Sequence, residues 1–197
     1  MNVVDVGYSS TNYYVLGPDH ARLLVDCGMP GSYGKLRARL RWMDVAIEHI
    51  GYLLVTHFHP DHAGIAQELK NDGVRMLLLA VQRKAVPRLN ALMARHGPHL
   101  PIRLDDNMDL RLEDSRAFLA GVGVAGQIVH TPGHSDDSVT LVLDSGEAFT
   151  GDLTLPDLAP DADAAAVAAS WRRLRDLGAR TAYPGHGPPR PVSHQAA

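Results

Sequence analysis

The sequence predicts an α/β fold built as one domain over residues 1–197. Two features carry this expectation. Through the first half, short apolar runs ending in turn residues alternate with apolar residues at helical spacing. The second half is a denser series of β runs, punctuated by Gly121, Gly123, Gly126 and Gly146, and it closes on another helix. A chain of 197 residues fits one domain and is long enough to bury a substantial core.

In order, Tyr13–Leu16 and Arg22–Val25 form a hairpin around Gly17, Pro18, Asp19 and His20, whose residue types favour reversal. Leu36, Leu40 and Met43 recur at helical spacing, with Lys35, Arg37, Arg39 and Arg41 on a solvated face. Gly51–Thr56 reads as a buried strand, and Ile65, Ala66 and Leu69 as the inner face of the helix after it. Arg75–Leu79 is the next strand. Val81–Ala94 follows as a helix bent or restarted at Pro87, before a loop over residues 95–101. Further strands are expected at residues 102–104, 108–112, 117–119, 127–130, 139–143, 148–149 and 179–182. Asp161 and Asp163 offer N-caps to a helix that buries Val167, Trp171, Leu174 and Leu177 and stops at Gly178. From about Pro188 the chain is Pro-rich and aperiodic, which predicts a frayed tail.

Composition sets the outer bounds. With 45% hydrophobic and 21% charged residues the chain reads as soluble and globular. A formal net charge of −3 gives no footprint for nucleic acid. No apolar run approaches membrane-spanning length, and the start has no signal-peptide pattern. Cys27 is the single cysteine, so no internal disulfide forms and a cytoplasmic location is expected. Beside Asp26, Cys27 reads as a small packed residue rather than a ligand. The expected partner is a small-molecule substrate; oligomeric state is open.

The chemistry concentrates just after the strand Gly51–Thr56. His57, His59, Asp61 and His62 place three imidazoles and a carboxylate in six residues. Histidine is the commonest metal ligand, and in extended chain residues two apart point to the same side, so His57 and His59 can converge. Asp61 and His62, beyond Pro60, can face a second position. Three further strand ends each carry one possible ligand beside a glycine: His134 in Thr131-Pro132-Gly133-His134, Asp152 in Thr150-Gly151-Asp152, and His186 in Tyr183-Pro184-Gly185-His186. Imidazole and carboxylate donors suit zinc, and admit iron or manganese, while the absence of Cys ligands argues against a closed structural zinc site. Asp136 and Asp137 follow His134 and are read as capping the turn into Val139, with support of a ligand imidazole the alternative.

This ordered set resembles the metallo-β-lactamase superfamily, from an early Asp (Asp26) through His-x-His-x-Asp-His to the lone His, bridging Asp and last His. The resemblance implies a four-layer αββα sandwich with two divalent metals at one edge. It assigns His57, His59 and His134 to one metal and Asp61, His62 and His186 to the other. Asp152 bridges them, and Asp26 supports the His-rich loop without touching metal. It further implies a binuclear, zinc-type hydrolase in which a metal-held hydroxide attacks an ester, thioester or lactone carbonyl, with Asp61 or Asp152 orienting water or passing a proton. His96 and His99 fall in a segment that borders the pocket in many relatives.

Departures from subfamily patterns narrow the substrate. Glyoxalase II has a helical domain after the last His, whereas eleven residues follow His186 here. Acyl-homoserine-lactone lactonases carry Tyr at the position of Leu155, and flavodiiron proteins carry Glu at that of His59. Asp152 argues against efficient β-lactam turnover. The alternative activity is that of a mononuclear-iron, persulfide-dioxygenase-like oxidoreductase; a β-lactamase or a non-catalytic metal-binding protein ranks below both.

Overall fold

The computed structural model describes residues 3–19 and 21–192. Among the described residues, eleven strands and six α-helices are formed. The first sheet takes β1 (Val4–Asp5), β2 (Tyr14–Leu16), β3 (Arg22–Val25), β4 (Ile50–Leu54), β5 (Arg75–Leu79) and β6 (Met108–Leu110) in that spatial order. It is antiparallel across β1 to β3 and parallel from β3 to β6. Between its strands run α1 (Tyr33–Trp42), α2 (Pro60–Ala63), α3 (Ala66–Asn71) and α4 (Ala85–Met93). After α5 (Ser115–Gly121), the second sheet takes β7 (Gly126–His130), β8 (Val139–Leu143), β9 (Glu147–Gly151), β10 (Thr181–Pro184) and β11 (Arg190–Pro191), with α6 (Ala164–Asp176) crossing over between β9 and β10.

Strand alternation builds the layers. Leu23 and Val25 face the second sheet while Leu24 faces the outer helices; Leu54 and Leu53 divide in the same way, as do Leu77 and Leu79 against Met76 and Leu78. Across the gap, Leu141, Leu143 and Phe149 fill the space between sheets, whereas Val142 and Ala148 turn outward to α6. Leu36 and Leu40 of α1, Leu69 of α3 and Val86, Leu89 and Met93 of α4 cover the first sheet, and Val167, Trp171 and Leu174 of α6 cover the second. The result is the expected α/β fold in four layers, αββα. Both sheets are buried on both faces, so their strands read as continuous apolar runs.

Several local expectations are corrected. Residues 117–119 are helical, inside α5: Ala117, Phe118 and Leu119 are a short apolar run that periodicity cannot assign, and Ser115 anchors the turn by accepting from Ile128 N. Residues 102–104 are not a strand, because Asn90 of α4 takes both the N–H and the carbonyl of Ile102. The helix expected at residues 81–94 is a 3-10 turn at Ala80–Gln82 followed by α4, with Pro87 in its first turn, where a missing N–H costs nothing. The helix after the His-rich loop is two short ones, α2 and α3. Asp163 stands at the N-cap of α6 without a side-chain cap bond, and Leu177 is 36% exposed rather than core. Arg190–Pro191 pairs with β10 and Val192 is buried, so the chain is ordered past Pro188. His20 and residues 193–197, where fraying and His194 were placed, lie outside the described residues.

Phe149 is wholly buried between the sheets, with its ring 5.1 Å from those of Tyr14 and Tyr183. Phe149→Ala is expected to cost about 3–5 kcal/mol of unfolding free energy, because both a large transfer term and an unfilled cavity are incurred. Denaturant titration of the two proteins checks this.

Candidate metal centre

The parallel pairing of β3 and β4 brings their C-terminal ends side by side. Asp26, one residue past β3, is 2% exposed and takes a left-handed backbone (φ 60°) that turns its carboxylate across to the next strand end. There Oδ1 accepts from Thr56 N at 2.7 Å, and Oδ2 accepts from Thr56 Oγ1 and from His62 Nδ1, each at 2.8 Å. With Nδ1 turned to Asp26, Nε2 is the nitrogen that His62 presents to the centre. Thr56 Oγ1, its own proton given to Asp26, lies 3.2 Å from His57 Nδ1 and can accept from it, so His57 also presents Nε2. His186 Nδ1 donates to the carbonyl of Ser10 at 2.6 Å and presents Nε2 likewise. Three imidazoles are thereby oriented through their far nitrogens.

Two donor groups result. His57 Nε2 and His134 Nε2 each lie 3.1 Å from His59 Nδ1. Around a tetrahedral zinc with bonds of 2.0–2.1 Å, ligand nitrogens stand about 3.3 Å apart, so these spacings fit one ion. In the second group, His62 Nε2 lies 3.4 Å from Asp61 Oδ2 and 3.3 Å from Asp152 Oδ1, while His186 Nε2 lies 3.1 Å from Asp61 Oδ2 and 3.4 Å from Asp152 Oδ2. Within each group all donor atoms fall within 4.8 Å of one another. Asp152 stands between the groups, because its Oδ2 is also 3.7 Å from His134 Nε2 and 3.9 Å from His57 Nε2.

Electrostatics point the same way. Burial and four neighbouring imidazoles hold His57 well below the usual histidine range, so its lone pair is free. Burial also opposes the charged form of His62, yet Asp26, Asp152 and Asp61 outweigh it and carry this imidazole up to about 12. Asp61 and Asp152 stay low despite their own burial, chiefly through His62. Three carboxylates around one imidazole leave negative charge that a cation would compensate. His62 Nε2 and Asp152 Oδ1 are buried and have no hydrogen-bond partner, a costly arrangement that a shared ion resolves. The donor set therefore fits divalent metal.

Backbone closeness requires glycine at two points. A Cβ on Gly151 (φ 52°) would lie 2.4 Å from Thr56 Oγ1, and one on Gly185 would lie 2.5 Å from Asp152 Oδ1 and 2.6 Å from His62 Cε1.

The structure brings together His57, His59, Asp61, His62, His134, Asp152 and His186, with Asp26 behind them. Cys27 is fully buried, outside both donor groups, and burial pushes its thiol up. Asp137 does not cap the turn into Val139; it accepts from Phe58 N at 2.8 Å and so pins the backbone of the His-rich loop. His130 ends β7, its Nε2 bonded to the carbonyl of Asp136. Two cavities open beside the centre. One, of about 420 Å³, has His59, His134, Arg88 and Leu92 in its wall; the other, of about 350 Å³, has Met29, Pro30, Pro60, Met93, His96 and Pro98. His96 thus borders the cleft. His99 lines neither cavity, and Leu155 packs toward the α6 cluster instead.

The sequence reading missed the segment Ser10–Tyr14. Thr11 Oγ1 donates to Asp61 Oδ2 at 3.3 Å and Tyr13 OH to the Asp61 carbonyl at 3.2 Å. Asn12 Nδ2 donates to the carbonyls of Pro184 and Gly187, and Asn12 N to that of Gly185. These bonds hold the last ligand loop, and no sequence motif announces them because they join positions more than 170 residues apart.

With fold and centre in view, comparison with known proteins places the chain in a class. A family model described as the metallo-beta-lactamase superfamily matches residues 6–186. The chain belongs to that superfamily. It is 33% identical over 182 residues to an Aspergillus fumigatus protein named atrochrysone carboxyl ACP thioesterase, covering 90% of this chain and 50% of that one. It is 27% identical over 181 residues to the beta-lactamase-like protein 2 homolog of Caenorhabditis elegans, covering 90% and 56%. The chain spans about half the length of the curated relatives it matches. Among solved structures, a metallo-beta-lactamase family protein of Thermus thermophilus aligns with a TM-score of 0.73 at 23% identity, over 97% of this chain and 74% of that one. TTHA1623, solved in a di-iron-bound form, aligns at 0.72 and 25% identity over 98% and 95%.

Asp26→Asn removes the charge that orients His62 and keeps the shape. Metal affinity is expected to fall about 10–100-fold, with the circular dichroism spectrum unchanged; competition with a calibrated chelator measures it.

Proposed function

We propose that the chain is a metal-dependent hydrolase with a two-metal centre, acting on an ester, thioester or lactone carbonyl. The observation that carries this reading is the placement of Asp152 between two convergent donor groups. The names of its relatives, thioesterases and lactamase-like proteins, support a hydrolase of this superfamily. In this reading His57, His59 and His134 hold one ion, Asp61, His62 and His186 hold the other, and Asp152 bridges them.

When bound, divalent ions supply a water of lowered pKa and positive charge for the oxygen that becomes anionic. The chain's own residues do the rest. Asp26, Thr56 and the Ser10 carbonyl fix the imidazoles, so no reorganisation is needed as charge develops. A carboxylate oxygen of Asp61 or Asp152 accepts a hydrogen bond from the attacking water and orients it. As the water oxygen bonds to the carbonyl carbon, the bond to the alcohol or thiol breaks, and the proton returns to that leaving group. The protein's likeness to a di-iron protein makes iron a candidate beside zinc and manganese.

Elemental mass spectrometry of the protein as purified tests the reading. About two zinc, iron or manganese per chain, with turnover on a panel of esters, thioesters and lactones, is the expected result. About one iron per chain, with oxygen uptake on a persulfide, would replace it by the oxygenase reading. His59→Ala is expected to lose about one metal per chain and most activity. Asp152→Ala should keep the fold and lower turnover at least about a hundredfold; wild-type rates in that variant would overturn the two-metal mechanism.

A further inference from the structure

Between Asp72 and Asp105 the chain carries six cations, Arg75, Arg83, Lys84, Arg88, Arg95 and Arg103, and not one Asp or Glu. Three of them are engaged: Arg75 lies over Tyr52, Arg83 pairs with Asp109, and Arg103 pairs with Asp105 and Asp106. Lys84, Arg88 and Arg95 are exposed and form no ion pair with any described residue. They flank or belong to α4, and their spacing places them within about 40° of one another on an ideal helix, along a face about 16 Å long. An unpaired run of cations of this length is not accounted for by the stability of α4, whose inner face is already buried through Val86, Leu89 and Met93.

The middle cation of this face, Arg88, borders the catalytic cleft. Arg88 and Leu92 share a cavity wall with the ligands His59 and His134. The neighbouring residues Pro60 and Met93 belong to the second, mainly apolar cavity, with Met29, Pro30 and Pro98. His59 and Pro60, and Leu92 and Met93, are each divided between the two, so the cavities are lined by consecutive residues of the same two segments. Asp136 and Asp137 also line the first cavity, and Asp137 is already committed to Phe58 N. Within that cavity an anionic group is repelled by these carboxylates and attracted to Arg88.

We propose that this face of α4 binds phosphate groups on the leaving group of the substrate, and that the substrates are acyl esters or thioesters of a phosphate-bearing alcohol or thiol. This rests on the hydrolase reading above. Two arginine forks and an ammonium spread along a helix match several phosphate charges better than one carboxylate. The apolar cavity beside Pro60 suits the acyl portion, which the cationic face would repel by desolvation. The reacting carbonyl then falls between the two, beside His59.

Desulfo-coenzyme A keeps the phosphates of a thioester leaving group and lacks the thiol that would itself bind metal, so it serves as the binding probe, read by calorimetry on the metal-loaded protein. The wild type should bind it with an affinity that weakens as salt is raised. The triple variant Lys84→Gln, Arg88→Gln, Arg95→Gln should bind about tenfold more weakly, while Arg37→Gln with Arg41→Gln on α1 should not. In parallel, the ratio of kcat/KM for acetyl-coenzyme A over the neutral S-acetyl-N-acetylcysteamine should fall about tenfold in the triple variant. Equal affinity in the wild type and the triple variant, or equal loss in the α1 pair, would overturn the proposal. So would cleavage of a single-stranded RNA oligonucleotide that depends on these cations while the thioester ratio does not change. Probe binding through α4 with no hydrolysis of either thioester would instead remove the hydrolase reading and leave the phosphate face standing.

Discussion

The centre depends on one buried carboxylate. Asp26 sits past the end of β3 in a backbone conformation that side chains other than glycine seldom adopt, and its two oxygens meet three donors from the neighbouring strand end and the helix beyond it. A carboxylate buried to this degree is tolerable only with such pairing. Through Thr56 it reaches His57, and through His62 it reaches the second donor group. The left-handed turn is therefore a local strain that the surrounding bonds over-determine. The same residue fixes which nitrogen of His62 is free, a property that no amount of spacing in the His-rich loop could set by itself.

A second constraint is closeness. Seven donors from four strand ends and one short helix occupy one pocket, and imidazole and carboxylate side chains leave little room for backbone. Gly151 and Gly185 meet that demand where a methyl group would strike Thr56, Asp152 or His62. The loop that bears His186 is held from outside by Asn12 and the Ser10 carbonyl. The first sheet thus positions a ligand that belongs to the second.

The ligand set was legible because the chemistry is local: His57, His59, Asp61 and His62 announce themselves within six residues, and His134, Asp152 and His186 each follow a strand beside a glycine. Most strands were legible too, since burial on both faces gives short apolar runs. What escaped detection depends on partners far away in sequence. Residues 117–119 are apolar enough for either structure and became helical because of what precedes them, and Ile102 lost its strand to Asn90. The roles of Thr11, Asn12 and Asp137 are hydrogen bonds across the fold, invisible to periodicity. Leu155 was weighed by analogy with one residue position and packs toward α6 instead.

Each sheet is drawn from one unbroken stretch of chain, the first ending at Leu110 and the second beginning at Gly126. During synthesis the first sheet, with His57, His59, Asp61 and His62, is therefore complete before any strand of the second exists. Four of the candidate donors are present at that stage, and neither donor group is complete until His134, Asp152 and His186 arrive. A complete donor group is therefore a late product of the nascent chain, coupled to the docking of its two halves rather than to the folding of either.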